Sequence, residues 1–187
     1  TTGAHGNLLT NFPSPTTNPP TDLSGGSLEN RRRIYIQIVR DVRKKVGPDF
    51  PVTIRLSGTD YEPDGFPIED TIALAKALEK EGIDAFHISG GDHHTMIHQV
   101  SPMAIPRCHN VWAAEAIKKE VSVPVIASGS ITTPDLAEEI IASGKGDFVG
   151  LGRPLWADPE WPRKAEEGRP EDIRPCIRCN NCLGRKY

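Results

Sequence analysis

The chain has 187 residues, 37% of them hydrophobic, with 22 Lys and Arg against 25 Asp and Glu and a formal net charge of −3. That length allows one domain or a large piece of a bigger one, and a mean hydropathy of −0.40 suits a soluble globular chain. The charge balance gives no electrostatic argument for nucleic acid or a membrane surface, and no apolar run approaches a transmembrane span or a signal peptide.

The chain opens on Thr1-Thr2-Gly3-Ala4-His5-Gly6, without an initiator Met. Residues 7–26 read as a long loop, because four Pro and the Gly25-Gly26 pair oppose regular structure. Long ordered loops in compact domains usually carry function. Ser27 is placed to cap a helix with Ile38, Val39, Val42 and Val46 on one face, and Gly47-Pro48 stops it. The Arg31-Arg32-Arg33 cluster on that helix, with Glu29 and Asp41 nearby, reads as a solvated face. Phe50–Ser57 reads as a strand. A loop, Gly58–Pro67, leads to a helix near Ile68–Glu81 with Ile72, Ala75 and Leu78 inward. Ile83–Ser89 is a second strand, followed by Gly90-Gly91 and an irregular stretch from Asp92 to His109. Then come a helix over Val111–Glu120, a strand over Val123–Ser128 and a helix capped by Thr133, with Pro134 at its first position and Ile140 and Ile141 buried. Asp147–Gly152 closes the series as a strand, with a short helix over Pro159–Gly168.

This strand–helix alternation, repeated four times, implies an α/β fold with a parallel sheet and right-handed crossovers. Ligands bind such sheets at the carboxyl ends of the strands. The chemically capable residues fall there: Arg55 and Ser57, Gly90 to His94, Gly129-Ser130, and Gly152-Arg153. Gly129-Ser130 and Gly152-Arg153 each close a strand and precede a helix. Backbone N–H groups at such turns, joined by a guanidinium, suit a phosphate dianion, whereas any one Gly is also ordinary turn chemistry. Arg55 interrupts an otherwise apolar strand, so it requires an acidic partner or an anionic ligand. His87, Asp92, His93, His94 and His98 gather imidazoles without a zinc-ligand spacing. A His at a strand end suits proton donation, since its pKa lies near working pH, while surface histidines on a polar loop are the plainer reading for His93 and His98.

Three of the four cysteines, Cys176, Cys179 and Cys182, lie within seven residues, and Cys108 stands alone. That spacing suits an iron–sulfur cluster better than a disulfide framework and fits a reducing cytoplasm; a terminal tail with incidental Cys is the alternative.

Gly3-Ala-His-Gly6, Ser14-Pro15, Asn18 and Gly25-Gly-Ser-Leu-Glu-Asn-Arg31 together resemble the central stretch of the NADH:flavin oxidoreductases of the old yellow enzyme group. Val123–Gly129 and Gly150-Leu-Gly-Arg-Pro154 resemble that family's seventh and eighth barrel strands. Asp172-Ile-Arg-Pro-Cys-Ile-Arg-Cys-Asn180 resembles its iron–sulfur branch, which includes 2,4-dienoyl-CoA reductase, 2-enoate reductase and trimethylamine dehydrogenase. The resemblance implies parallel (β/α) units forming the second half of a TIM (β/α)8 barrel, strands 5–8 with the loop after strand 4. Residues 1–170 would form the FMN-binding half-barrel, and 171–187 the truncated start of a cysteine-rich iron–sulfur segment. By resemblance Arg55 faces the flavin pyrimidine edge, and Gly129, Ser130, Gly152 and Arg153 hold the FMN phosphate. His94 falls near substrate and flavin, and Cys176, Cys179 and Cys182 are three ligands of a [4Fe–4S] cluster whose fourth ligand this chain lacks.

Departures from the family pattern are Thr2 where Tyr or His is usual, Pro20 for Arg, Ser24 for Tyr, and Cys108 where Gly is common. The implied chemistry is hydride transfer from NAD(P)H through flavin to an activated C=C bond of a small-molecule substrate, with His94 and then His5 as proton donors and the cluster as electron relay. The alternatives are an amine dehydrogenase of the trimethylamine type, which requires an aromatic cage, and a flavin- or phosphate-binding fragment without turnover. A half-barrel leaves two parallel edges open, which implies a homo-oligomer or docking to the missing barrel half.

Overall fold

Ser27 has extended backbone, and its Oγ accepts a hydrogen bond from the Asn30 N–H, which starts α1 (Leu28–Val46). Gly47, at φ 84°, ends it in a conformation that side chains other than Gly rarely adopt. The computed structural model to which this helix belongs describes residues 1–14, 18 and 23–184. Five strands, β1 (Thr2–Gly3), β2 (Thr53–Ser57), β3 (Ala85–Ser89), β4 (Val125–Ser128) and β5 (Phe148–Gly150), pair in parallel in chain order. Between them run α1, α2 (Ile68–Lys80), α3 (Met96–Gln99), α4 (Val111–Lys118) and α5 (Pro134–Ala142). After β5 come α6 (Arg153–Ala157), α7 (Trp161–Glu166) and α8 (Asn181–Gly184).

Period-two alternation divides the sheet into two unlike faces. Ile54, Leu56, Phe86, Ile88, Val125 and Ala127 point toward the helices and are buried with Tyr35, Val39, Leu74, Leu78, Ala114 and Ile117. The opposite face carries a register row of Thr2, Arg55, His87, Ile126 and Phe148, none of them fully buried. Phe148, on the edge strand, is 58% exposed. The apolar core therefore lies on the helix side, and the other face is polar at its centre and open at both edges.

Several expectations are corrected. Arg31 is buried: Nη2 pairs with Asp70 at 3.1 Å, Nε donates to the Gly26 carbonyl, and Nη1 donates to Pro13 O. A buried guanidinium must be satisfied, and this one ties α1 to α2 and to the first loop. Val46 and Ile141 are each 39% exposed. Ile141 lies on the more exposed side of its helix, one position beyond the buried Ile140. The first long loop contains a 3-10 turn at Leu8–Asn11, and the irregular stretch contains α3. Pro20 lies outside the described residues. No helix among those described is long and apolar enough to cross a membrane.

Candidate functional site

The carboxyl ends of β2 to β5 enclose a cleft of about 640 Å3 lined by Arg55, Ser128, Gly129, Ser130, Gly152 and Arg153, with Asn110, Cys176 and Arg178 completing the wall. Gly129 and Ser130 both have positive φ, 116° and 56°. A Cβ at Gly129 would stand 3.0 Å from the Asn110 Cβ, so the turn depends on glycine for its conformation and its space. Arg153 crosses the mouth of this turn. Its Nη2 donates to Ser130 Oγ at 3.0 Å, and its Nη1 donates to the Ser101 carbonyl at 2.7 Å and to Asn180 Oδ1 at 2.6 Å. Ser130 Oγ also pairs with Ser101 Oγ. The guanidinium is thus held rigid while no carboxylate among the described residues pairs with it, an arrangement that suits a phosphate.

Arg55 and His87 face each other across β2 and β3, and His5 joins them from the loop after β1. Burial, with Arg55 nearby, lowers the His5 pKa to about 4, and His87 and His93 contribute to the same shift. Burial and then Arg55 bring His87 to about 4 as well. Both imidazoles are therefore neutral at neutral pH. The His5 Nε2, Arg55 Nε and His87 Nε2 atoms are buried and have no hydrogen-bond partner among the described residues. Among the described residues Arg55, half-buried, has no carboxylate within ion-pair distance, the partner that a cation drawn into a protein interior normally takes. Gly150 makes room for this cluster, since a Cβ there would approach His87 Nε2 to 3.0 Å.

The predicted site residues divide into groups. Arg55, Gly129, Ser130, Gly152 and Arg153 share the cleft. His5 is half-buried beside Arg55, with its backbone N–H donating to Ser57 Oγ at 3.2 Å. His94 is exposed and outside the cleft lining; its backbone N–H donates to Asp92 Oδ1 at 2.8 Å. The three clustered cysteines are free thiols: Cys176 and Cys182 are half-buried and Cys179 is exposed. They carry the soft donors that iron–sulfur clusters take, but among the described residues no three His, Cys, Asp or Glu side chains converge on a metal position. Cys108 adopts φ 59°, a conformation that favours Gly.

Sequence reasoning passed over Asn110, Ser101, Arg178 and Asn180. Nothing in their local pattern marks them, because their roles come from contacts between distant loops. A small cavity beside the first loop is lined in part by the core side chains Tyr35, Leu56, Phe66 and Leu74 and holds none of these cationic groups.

Fitting a phosphorylated flavin to this chain rests on two observations. Arg153 and Ser130 present a fixed cationic clamp, and the buried Nε of Arg55 has no hydrogen-bond partner among the described residues.

Residues 1–172 match the family model described as NADH:flavin oxidoreductase / NADH oxidase family. The chain is 44% identical over 183 residues to an NADH oxidase of Thermoanaerobacter brockii, covering 97% of this chain and 28% of that protein. Among solved structures, a 2-naphthoyl-CoA reductase in complex with 2-naphthoyl-CoA superposes with a TM-score of 0.89 at 37% identity, over 96% of this chain and 27% of the other. Histamine dehydrogenase from Rhizobium sp. 4-9 gives a TM-score of 0.86 at 34% identity, over 97% of this chain and 26% of the other. The chain thus spans little more than a quarter of the length of these relatives, and its parallel sheet is part of a TIM-barrel flavoenzyme fold. The chain belongs to the NADH:flavin oxidoreductase / NADH oxidase family.

Proposed function

We propose that the protein carrying this chain is an FMN-dependent, NAD(P)H-linked oxidoreductase that reduces activated C=C bonds of small-molecule substrates in the cytoplasm. The observation that carries this reading is the cleft at the carboxyl ends of the strands, where Arg153 is clamped and the buried Nε of Arg55 has no hydrogen-bond partner among the described residues. Bound FMN supplies two-electron exchange between a nicotinamide and an electron-poor alkene. The chain's own residues hold and polarise. Arg153, Ser130 and the Gly129 and Gly152 turns take the phosphate, and Arg55 sets a positive charge against the anionic edge of the ring. His5, neutral beside Arg55, presents an imidazole N–H to an acceptor, and His94, exposed to solvent, is the candidate proton donor.

Residues 1–170 then act as the cofactor-binding half-barrel and 171–187 as the start of an iron–sulfur segment. Cys176, Cys179 and Cys182 supply three ligands of a [4Fe–4S] cluster, and the fourth comes from elsewhere in the protein. The likeness to the 2-naphthoyl-CoA reductase supports reduction of an unsaturated substrate. The likeness to histamine dehydrogenase supports amine oxidation as a second reading. Anaerobic assays separate them. Oxidation of NAD(P)H on addition of an enone or enoate supports the first. Reduction of a dye acceptor by an amine, with no turnover of enones, replaces it with the second.

A further inference from the structure

The cysteine-rich segment forms one wall of the cleft and is bonded to its central cation. Asn180, one residue beyond Cys179, accepts from Arg153 Nη1 through Oδ1 at 2.6 Å and donates through Nδ2 to the Val100 carbonyl at 2.9 Å. Arg178, between Cys176 and Cys179, is buried and donates to the carbonyls of Ile105 and Met103 at 2.6 and 3.1 Å. Both residues have left-handed backbone, φ 61° at Asn180 and φ 58° at Arg178. Asn tolerates that conformation and Arg does so poorly, so at Arg178 the guanidinium contacts must hold the backbone where it is. The same loop, residues 100–105, meets Arg153 through the Ser101 carbonyl at 2.7 Å. Arg153, Ser101, Ser130 and Asn180 therefore form one hydrogen-bonded network, and Arg178 ties the cysteine-rich segment to the same 100–105 loop through the Met103 and Ile105 carbonyls.

We propose that Asn180 and Arg178 are positioning residues that hold the anion-binding Arg153 from the cysteine-rich segment, so that phosphate binding in the cleft and order in residues 176–182 are coupled. The inference rests on reading the cleft as a phosphate site. Without Asn180, Nη1 of Arg153 loses an acceptor and the guanidinium gains rotational freedom that a phosphate must then remove. Linkage makes the effect reciprocal: whatever orders Arg153 also orders the segment.

The test compares FMN with riboflavin, which lacks the phosphate, by flavin fluorescence titration of the protein and of its N180G and R178M variants. Glycine at 180 accepts the left-handed backbone, so N180G removes only the side chain. The expected result is an FMN affinity lowered about tenfold in N180G, the size of one charge-assisted hydrogen bond, and lowered less in R178M, with riboflavin affinity unchanged in both. Equal losses for the two ligands, or no loss for either, overturn the proposal. A second arm needs no flavin: amide hydrogen exchange across 176–184 is expected to quicken in R153M, and unchanged exchange overturns the coupling. If the unmodified protein binds neither ligand, the flavin reading fails and the exchange arm alone decides the coupling.

Discussion

Arg55, His5 and His87 put three buried nitrogens together without a hydrogen-bond partner among the described residues, and burial keeps both imidazoles uncharged. This has a consequence for stability. An ordinary His titrates near 6.5, and these two sit at about 4, so between those values the unfolded chain binds protons that the folded chain refuses. The stability gained by keeping them neutral is fully present above about pH 6.5 and is lost as pH falls toward about 4. Urea midpoints measured across that range are expected to fall, and the H5Q/H87Q double variant is expected to flatten the decline. A decline of the same steepness in the variant would place the sensitivity elsewhere. Arg153 offers a test of a different kind. R153K retains the charge but loses the planar fork that reaches Ser101, Asn180 and Ser130 together, so FMN binding is expected to weaken by at least tenfold in fluorescence titration.

Elements come together in this fold through glycines that admit a neighbour. A Cβ on Gly58, just after β2, would stand 2.4 Å from the Ala113 Cβ on α4. One on Gly3 would stand 2.4 Å from Cε1 of Tyr35, whose hydroxyl donates to the Gly3 carbonyl at 3.2 Å. G58A is therefore expected to cost about 1–3 kcal/mol by overpacking, read as a lower denaturation midpoint with unchanged slope. S27A, which removes the cap of α1, is expected to cost about 1 kcal/mol. A G58A protein as stable as the parent would show that α4 can shift freely from β2. Such packing also marks how far the sequence could be read. The runs around Ile54, Phe86 and Val125, and the caps Ser27 and Thr133, carry local signals, and those elements form where their residues indicate. Thr2–Gly3 is too short to show a period and becomes a strand only because β2 offers it a partner. α6 follows directly from the phosphate-type turn, with Pro154 in its first turn, and that turn accounted for the same residues at the sequence level. Arg31 reads as one more basic residue on a helix until Asp70 and Pro13, distant in sequence, close over it. Within the candidate site, Arg55, Ser130 and Arg153 were legible as charges and turns at strand ends. Asn180 and Arg178 were not, since their partners lie more than two dozen residues away.

At the scale of the molecule, the sheet buries one face under helices and leaves the other only partly covered, with Thr2 and Phe148 exposed at the edges of its register row and Arg55, His87 and Ile126 half-buried between them. β1 and β5 are edge strands. Open parallel edges beside a half-buried cation favour association, and we propose that this face closes against the other barrel strands or against a second copy of the chain. Sedimentation of the chain on its own is expected to give a dimer or larger species. A well-folded monomer by sedimentation and circular dichroism would exclude self-association.

If the cleft at the carboxyl ends of β2 to β5 holds a working flavin, the protein is coloured and its colour responds to NADH. The most direct measurement is the anaerobic visible absorbance spectrum of the purified protein, before and after NADH is added. The expected spectrum shows the absorbance bands of an oxidised protein-bound flavin, which bleach on reduction and are absent when Arg55 and Arg153 are both replaced by Met. A colourless protein that takes up no added FMN, or a flavin spectrum that survives loss of both arginines, would contradict it.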